Sequence, residues 1–310
     1  MSKIIRPGIA AALSALLLVL APPPAARRAS GQQSVTVAPT NTRAAAVVAA
    51  TSEVLKETSE IRQLSVIRPV KSGAQSRSEI ERMIIKNMDE ESTPEELHAS
   101  ELSLKKLGLV PSDFQLRPFL IKLFTEQVAG YYDTKVQEFY LADWLDMDGQ
   151  KPVMAHELTH ALQDQHFSLL RRFEKWPKDD SDAEMAAHAL VEGDASYVMV
   201  HYISRSPLRA LAFMKSLGQN STGSEQIDRA PRALRESLLF PYQQGMEWVM
   251  VLYKRNGWAT VTQAFTDLPQ STEQILHVEK YFAREAPVKV SLGDVSGLLG
   301  PGWKRLDYDV

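Results

Sequence analysis

The 310-residue chain contains no cysteine, and this absence excludes several classes of protein at once. A disulfide-stapled scaffold, a thiolate metal site, an iron–sulfur cluster and a cysteine nucleophile all require that residue. Any metal ion must therefore be held by histidine, by carboxylate or by water. At this length the chain can bury a sizeable core without covalent staples.

An excess of basic charge is also missing. Lys and Arg total 35 against 38 Asp and Glu, which gives a formal net charge of −3. A global positive field of the kind that draws a protein onto nucleic acid is therefore excluded, and no nucleic acid is expected as a partner.

The N-terminal 31 residues have the layout of a secretory signal peptide. Lys3 and Arg6 precede an apolar run from Ile9 to Ala21, and prolines and small residues follow. Cleavage after Ala26 or Gly31 is predicted, although an uncleaved anchor stays an alternative for so short a run. Because residues 1–31 hold four basic and no acidic side chains, the remaining chain has a charge of −7. We expect a secreted or periplasmic protein with no membrane partner after cleavage.

The mature chain is predicted to have an α+β fold that is mostly helical, with a small sheet or hairpin. Residues 32–43 are polar and threonine-rich and indicate a flexible linker. Residues 44–110 form an N-terminal helical segment, which could be a pro-segment or a cap, and residues 111–310 form the catalytic domain. SVIRPV, residues 65–70, is a candidate edge strand. Alternating residues around a turn predict a hairpin of Gly130 to Tyr132 and Gln137 to Leu141.

Start and stop signals predict the helices of the second half. Pro152 is expected to begin a long helix, and Ser181 or Asp182 to cap the next. A further helix runs from Pro241 to Arg255 and stops at Asn256–Gly257. Ser271 with Gln274 forms a capping box for a helix that continues through Tyr281.

The segment PVMAHELTHALQDQHF contains the pattern H-E-x-x-H, formed by His156, Glu157 and His160. Residues four apart lie on one face of a helix, so the two imidazoles can converge on one ion. Glu157 then stands beside that ion, where a carboxylate can take a proton from a metal-bound water and deliver it to a leaving amine. The pattern predicts a metal site, with Zn²⁺ as the expected ion.

A catalytic zinc site needs a third protein ligand. His166 lies six residues after His160, about 240° around a continuous helix, and so faces away from the site. Glu192 lies 32 residues after His160 on a separate predicted helix, with small residues around it that permit close helix packing. Glu192 is the preferred ligand. His188 and Glu184 share its helix face and remain alternatives.

HELTH followed by EGDASY resembles the gluzincin group of zinc metallopeptidases. The resemblance covers residues 130–200 and implies that His156, His160 and Glu192 are the metal ligands and Glu157 the general base. It also implies that an extended peptide pairs with the strand Gln137 to Leu141 as a sheet edge. AGYYDTKVQEFYLAD and STEQILHVEKY resemble a poorly characterised family of secreted bacterial peptidases.

Two further roles have candidate residues. A donor that stabilises the transition state is expected near the scissile carbonyl. His277 is the first candidate for this catalytic role, and Tyr197, Tyr242 and Tyr281 are alternatives. Asp164 or Asp194 is expected to accept the hydrogen bond that orients a metal-binding imidazole.

The sequence thus predicts a secreted zinc peptidase that acts on a protein or peptide substrate. Two other classes remain open. One is a metal-binding protein without catalytic activity, against which the intact Glu157 argues. The other is a membrane-anchored helical interaction protein in which H-E-x-x-H is fortuitous.

Overall fold

A computed structural model describes residues 40–169, 180–219, 226–288, 290, 293 and 295–303. The predicted signal peptide and most of the predicted linker lie outside these residues. The first nine elements are α1 (Thr40–Arg62), β1 (Lys71–Gln75), α2 (Arg77–Glu91), α3 (Pro94–Lys106), α4 (Leu116–Gln127), β2 (Gly130–Asp133), β3 (Glu138–Ala142), α5 (Met147–Phe167) and α6 (Ser181–Ser204). They are followed by α7 (Pro207–Gln219), α8 (Arg232–Ala264), α9 (Thr272–Leu276), α10 (Val278–Ala283) and α11 (Ser296–Leu299).

The fold is mostly helical with one small sheet, as predicted for an α+β protein. The sheet has the order β1-β3-β2, with β1 parallel and β2 antiparallel to the central strand β3. The hairpin of β2 and β3 confirms the prediction to within one residue at each end. No helix among the described residues is both long and apolar enough to cross a bilayer.

Two predictions about strands were wrong. Residues 65–70 are not a strand, and β1 begins directly after them at Lys71. The predicted edge strand, Gln137 to Leu141, corresponds to β3, which is paired on both sides. The strand bordering the H-E-x-x-H helix is instead β2, whose Tyr132 backbone N–H reaches Glu157.

Several predicted helix starts were misplaced. Thr40 already begins α1, so the predicted linker is too long at its C-terminal end. Asp146 caps α5 and leaves Pro152 inside the helix, while Asp180 caps α6, one residue before Ser181 and two before Asp182. In both caps an aspartate oxygen accepts a backbone N–H, which meets the need of a helix start without proline or serine.

Helix breaks were also only partly predicted. α8 begins at Arg232 rather than Pro241, and non-helical dihedral angles at Asn256 and Gly257 confirm the break expected there. The helix predicted from Ser271 through Tyr281 is interrupted at His277, which separates α9 from α10. Ser271 caps α9 as expected, but Gln274 accepts from the backbone of Gln270 rather than completing a capping box.

The main core joins the N-terminal helix to the helices of the predicted catalytic domain. Val54 and Leu55 of α1 belong to the same buried cluster as Leu158 of α5, Leu190 of α6 and Trp248 of α8. A second cluster packs α2 and α4 against the hairpin. Residues 44–110 therefore share their core with the rest of the described chain. Their predicted role as a pro-segment or cap stays a prediction.

A very close helix crossing fixes α6 against α8. A Cβ atom on Gly193 would lie 2.2 Å from the carbonyl carbon of Gly245, and one on Gly245 would lie 2.1 Å from the carbonyl oxygen of Ala189. The small residues of α6 thus admit α8. This crossing sets the position of Glu192, the residue before Gly193.

Replacing Gly193 with alanine is expected to lower the free energy of unfolding by about 3 kcal/mol, because the new methyl group meets backbone that cannot move aside alone. Urea unfolding followed by circular dichroism measures the change. Gly297→Ala is the matched control, since a Cβ there meets no atom within 4 Å, and it should be neutral or stabilising by up to about 1 kcal/mol. Equal effects of the two substitutions would contradict the close crossing.

Candidate metal centre

Three predicted ligands meet between α5 and α6. His156 and His160, one turn apart on α5, face Glu192 of α6. The distance from His156 Nε2 to Glu192 Oε2 is 3.1 Å, from His160 Nε2 to the same oxygen 3.4 Å, and between the two Nε2 atoms 3.2 Å. These residues form a buried group that could hold a metal ion.

The spacing of the three ligand atoms suits a tetrahedral ion. Ligands bound at about 2.0 to 2.1 Å and at tetrahedral angles lie about 3.3 Å from one another. Hydrogen bonds alone account poorly for the same triangle, since a ring N–H lies in the plane of its imidazole and points in one direction. Three protein ligands leave one position open, as in catalytic rather than structural zinc sites.

The tautomer of His160 follows from its neighbours. Its Nδ1 lies 2.9 Å from Gln163 Oε1. The amide nitrogen of Gln163 donates to the Val191 carbonyl and to Asp194 Oδ2, at 3.0 and 2.9 Å. Both of these partners only accept, so Gln163 must present its oxygen to His160, and His160 Nδ1–H donates. In the neutral ring, the Nε2 lone pair is then free to bind an ion.

The partner predicted to orient the His160 imidazole is placed differently from the expectation. Neither Asp164 nor Asp194 is the partner of His160, because Gln163 takes that place. Asp194 acts one step away, through Gln163. Asp164 instead accepts from Tyr132 Oη, Gln137 Nε2 and Arg68 Nη2, none of which belongs to α5. The sequence signal for Gln163 was its position one helical turn after His160.

The alternative ligands lie outside the group. His188 is buried and its Nε2 lies 3.3 Å from Glu192 Oε1, whereas His156 and His160 contact Oε2. His188 can therefore hold the carboxylate in place. His166 Nε2 contacts the Ser65 carbonyl at 2.7 Å, as its position on the far side of α5 predicts. Glu184, the third alternative, is half-buried and is not a member of the group.

Glu157 is fully buried beside the metal-ligand group. Its Oε2 accepts the backbone N–H of Tyr132 at 3.0 Å, and its Oε1 has no hydrogen-bond partner among the described residues. Burial raises the pKa of Glu157 to about 8, and the nearby Glu192 carboxylate adds to this increase. An unpaired buried carboxylate oxygen is costly, and this one is explained if a water molecule between Glu157 and an ion is its partner.

The charges of the ligands depend on one another in the metal-free protein. Burial alone lowers the pKa of His160, but the Glu192 carboxylate outweighs it and raises that pKa to about 9. Burial opposes ionisation of Glu192, yet its contacts with His160, His156 and His188 lower its pKa well below the usual range. His160 and Glu192 therefore form an ion pair that a divalent cation would replace.

The residues predicted to stabilise a transition state lie in different surroundings. The side chain of His277 is 55% exposed and lies 3.7 Å from Glu279. Tyr197 packs among His201, Tyr253 and Trp258, and Tyr281 Oη donates to the Asp267 carbonyl. Tyr242 is buried and stacks on His156, with ring centroids 6.2 Å apart. Of the three tyrosines, Tyr242 is thus the one with a ring contact to a predicted ligand.

Comparison with family models, with curated proteins and with solved structures finds no match to this chain. The geometry and chemistry of the site therefore carry the functional argument.

Proposed function

We propose that the protein is a secreted zinc-dependent peptidase. The single observation that supports this most strongly is the convergence of His156, His160 and Glu192 Oε2 at tetrahedral spacing beside a buried glutamate with an unpaired oxygen. Histidine nitrogen and carboxylate oxygen are ligands that zinc accepts, and no thiolate is available in this chain. A non-catalytic zinc site has no need of the carboxylate of Glu157.

Each residue of the site would have a separate role in peptide hydrolysis. His156, His160 and Glu192 would hold the ion. Zinc in such a site polarises the scissile carbonyl and lowers the pKa of a water that it binds to about 7. Glu157 accepts a proton at Oε1, and because its side chain is buried away from bulk water it can pass that proton to the leaving amine. The bond from Tyr132 N–H holds the other oxygen, so that Oε1 stays in place.

Hydrolysis of casein by residues 32–310, with and without a chelator, tests the proposed activity. Cleavage should stop when the chelator removes the metal and return when about one equivalent of zinc is added. Zinc binding without cleavage would favour the non-catalytic alternative. Cleavage that persists in the metal-free protein would contradict the proposal.

Zinc binding at pH 7 is expected to release protons from His160 and Glu157. His160 and Glu157, with pKa values raised to about 9 and about 8, both hold a proton in the metal-free protein at this pH. His160 would give up its proton so that Nε2 can hold the ion, and Glu157 would lose its proton because the added positive charge favours its carboxylate form. Affinity should therefore rise with pH and level off above the pKa of His160.

Isothermal titration calorimetry in buffers of different ionisation enthalpy counts these protons. The Glu157→Gln variant should release one proton fewer than the wild type. Release that is the same in both proteins would show that Glu157 is already ionised without the metal.

Tyr242→Phe is expected to lower kcat about 100-fold with a small change in KM, if its hydroxyl stabilises the developing oxyanion near His156. His277→Ala, at an exposed position, should change kcat little. Steady-state kinetics on a fluorogenic peptide compares the two. The opposite ranking would return the role to His277 and remove it from Tyr242.

A further inference from the structure

A buried arginine lies at the end of a hydrogen-bonded chain that leads to the metal-ligand group. Arg62 is the last residue of α1, and its side chain is completely buried, as is that of Asp194. Arg62 Nε donates to Asp194 Oδ1 at 2.6 Å. The Oδ2 atom of Asp194 accepts from Gln163 Nε2 at 2.9 Å, and Gln163 Oε1 accepts from His160 Nδ1 at 2.9 Å.

Each link in this chain has a fixed direction. The Arg62 guanidinium can only donate and the Asp194 carboxylate can only accept, so Gln163 must direct its amide nitrogen towards Asp194. Its oxygen then faces His160, and this arrangement selects the Nδ1–H tautomer that leaves Nε2 for the ion. Removing the charge pair would leave the Val191 carbonyl, at 3.0 Å, to hold the Gln163 amide nitrogen without Asp194, and would so weaken the orientation of the Gln163 oxygen towards His160.

Arg62 is itself held firmly. Its Nη1 donates to Thr262 Oγ1 at 3.0 Å, and the guanidinium lies 4.7 Å from the centre of the Trp258 ring. Thr262 and Trp258 both belong to α8. The Arg62 side chain of α1 is therefore held by α8 and in turn orients Asp194 of α6. A flexible or exposed arginine could not set the position of Asp194 in this way.

The geometry points to Arg62 as a positioning residue that, through Asp194 and Gln163, fixes the tautomer and orientation of the metal ligand His160. This inference rests on the proposed zinc site. It gives α1 a part in forming that site, beyond its contribution to the core. Partners that orient a ligand imidazole typically change metal affinity 10- to 100-fold when they are lost.

Three variants test the series of hydrogen bonds from Arg62 to His160. Gln163→Leu removes the acceptor of His160 Nδ1. The paired variant Arg62→Met with Asp194→Leu removes both buried charges together, because loss of one alone would leave the other unpaired in the core. The triple variant combines all three substitutions. Zinc affinity is measured by competition with a chromophoric chelator, and the cobalt-substituted protein gives the ligand-field spectrum.

We expect a 10- to 100-fold loss of zinc affinity and an altered cobalt spectrum in both the single and the paired variant. The triple variant should bind zinc no more weakly than Gln163→Leu, since Arg62 and Asp194 act only through Gln163. A purely structural role would make the losses multiply. Multiplied losses, or a folded paired variant with wild-type affinity, would overturn the inference.

Glu57→Gln is the matched control. Glu57 anchors α1 at another point, by two bonds of 2.9 and 3.0 Å from Arg209. Its loss should lower stability without changing zinc affinity or the cobalt spectrum. If the paired variant does not fold, Arg62→Lys keeps the charge but loses the geometry of Nε, and the same non-additivity with Gln163→Leu is expected. Wild-type protein without zinc would refute the proposed function itself, whereas unchanged variants refute only the positioning role.

Discussion

Replacing Glu157 with glutamine is expected to lower kcat for peptide hydrolysis at least 1,000-fold, within the range that a positioned general base contributes. Glutamine has nearly the same shape and its carbonyl oxygen can still accept the Tyr132 N–H bond. It cannot, however, take up a proton at the position of Oε1. Zinc content and thermal stability should stay close to those of the wild type, because Glu157 is not among the three ligands.

Steady-state kinetics measures the loss of kcat, and elemental analysis of the same preparation shows whether the zinc content is unchanged. Glu184→Gln provides a matched control, since Glu184 is a helix glutamate outside the metal-ligand group. Its activity should stay within a few-fold of the wild type. Full activity of Glu157→Gln would mean that another group moves the proton and would contradict the proposed mechanism.

Loss of a ligand should have a different signature. His160→Ala and Glu192→Ala are each expected to abolish both zinc binding and hydrolysis, because two protein ligands remain where catalytic sites use three. Glu192→Ala also leaves His160 and His188 without the carboxylate they contact. Addition of zinc in the millimolar range should restore little activity.

Elemental analysis after gel filtration measures the retained metal. His166→Ala is the control, since that ring lies at the Ser65 carbonyl and outside the group. It should keep its zinc and its activity. Zinc retained at one equivalent in His160→Ala would show that the ion is held elsewhere.

The sequence predicted that His156 and His160 lie together because their geometry is local. His156 and His160 are one helical turn apart, and any helix brings them together. Glu192 was assigned from a predicted return helix with small residues. The helix of Glu192, α6, does pack against α5 as expected. The small residues Gly193 and Ala189, however, accommodate α8.

The series of hydrogen bonds from Arg62 to His160 could not be predicted, since Arg62 and Asp194 are 132 residues apart in sequence. An arginine at the end of an amphipathic helix usually indicates a solvated side chain, and nothing local marks Arg62 as buried. Gln163 could have been predicted from the sequence, because the amide oxygen of a glutamine one helical turn after a ligand histidine can accept the Nδ1–H of that histidine.

The error at the sheet edge has a similar cause. β1, with the sequence KSGAQ, shows no apolar alternation, and it pairs in parallel with a strand more than 60 residues later. Without β1, the hairpin has two free edges and β3 is the natural choice for the outer one. Only the tertiary pairing shows that β3 is the central strand.

Zinc-edge X-ray absorption of the purified protein, residues 32–310, shows which atoms surround a bound ion. We predict about one zinc per chain with a first shell of two imidazole nitrogens and two oxygens near 2.0 to 2.1 Å, one oxygen from Glu192 and one from solvent. Protein that binds no zinc, or zinc in a closed shell with a third imidazole, would contradict a catalytic site built from His156, His160 and Glu192.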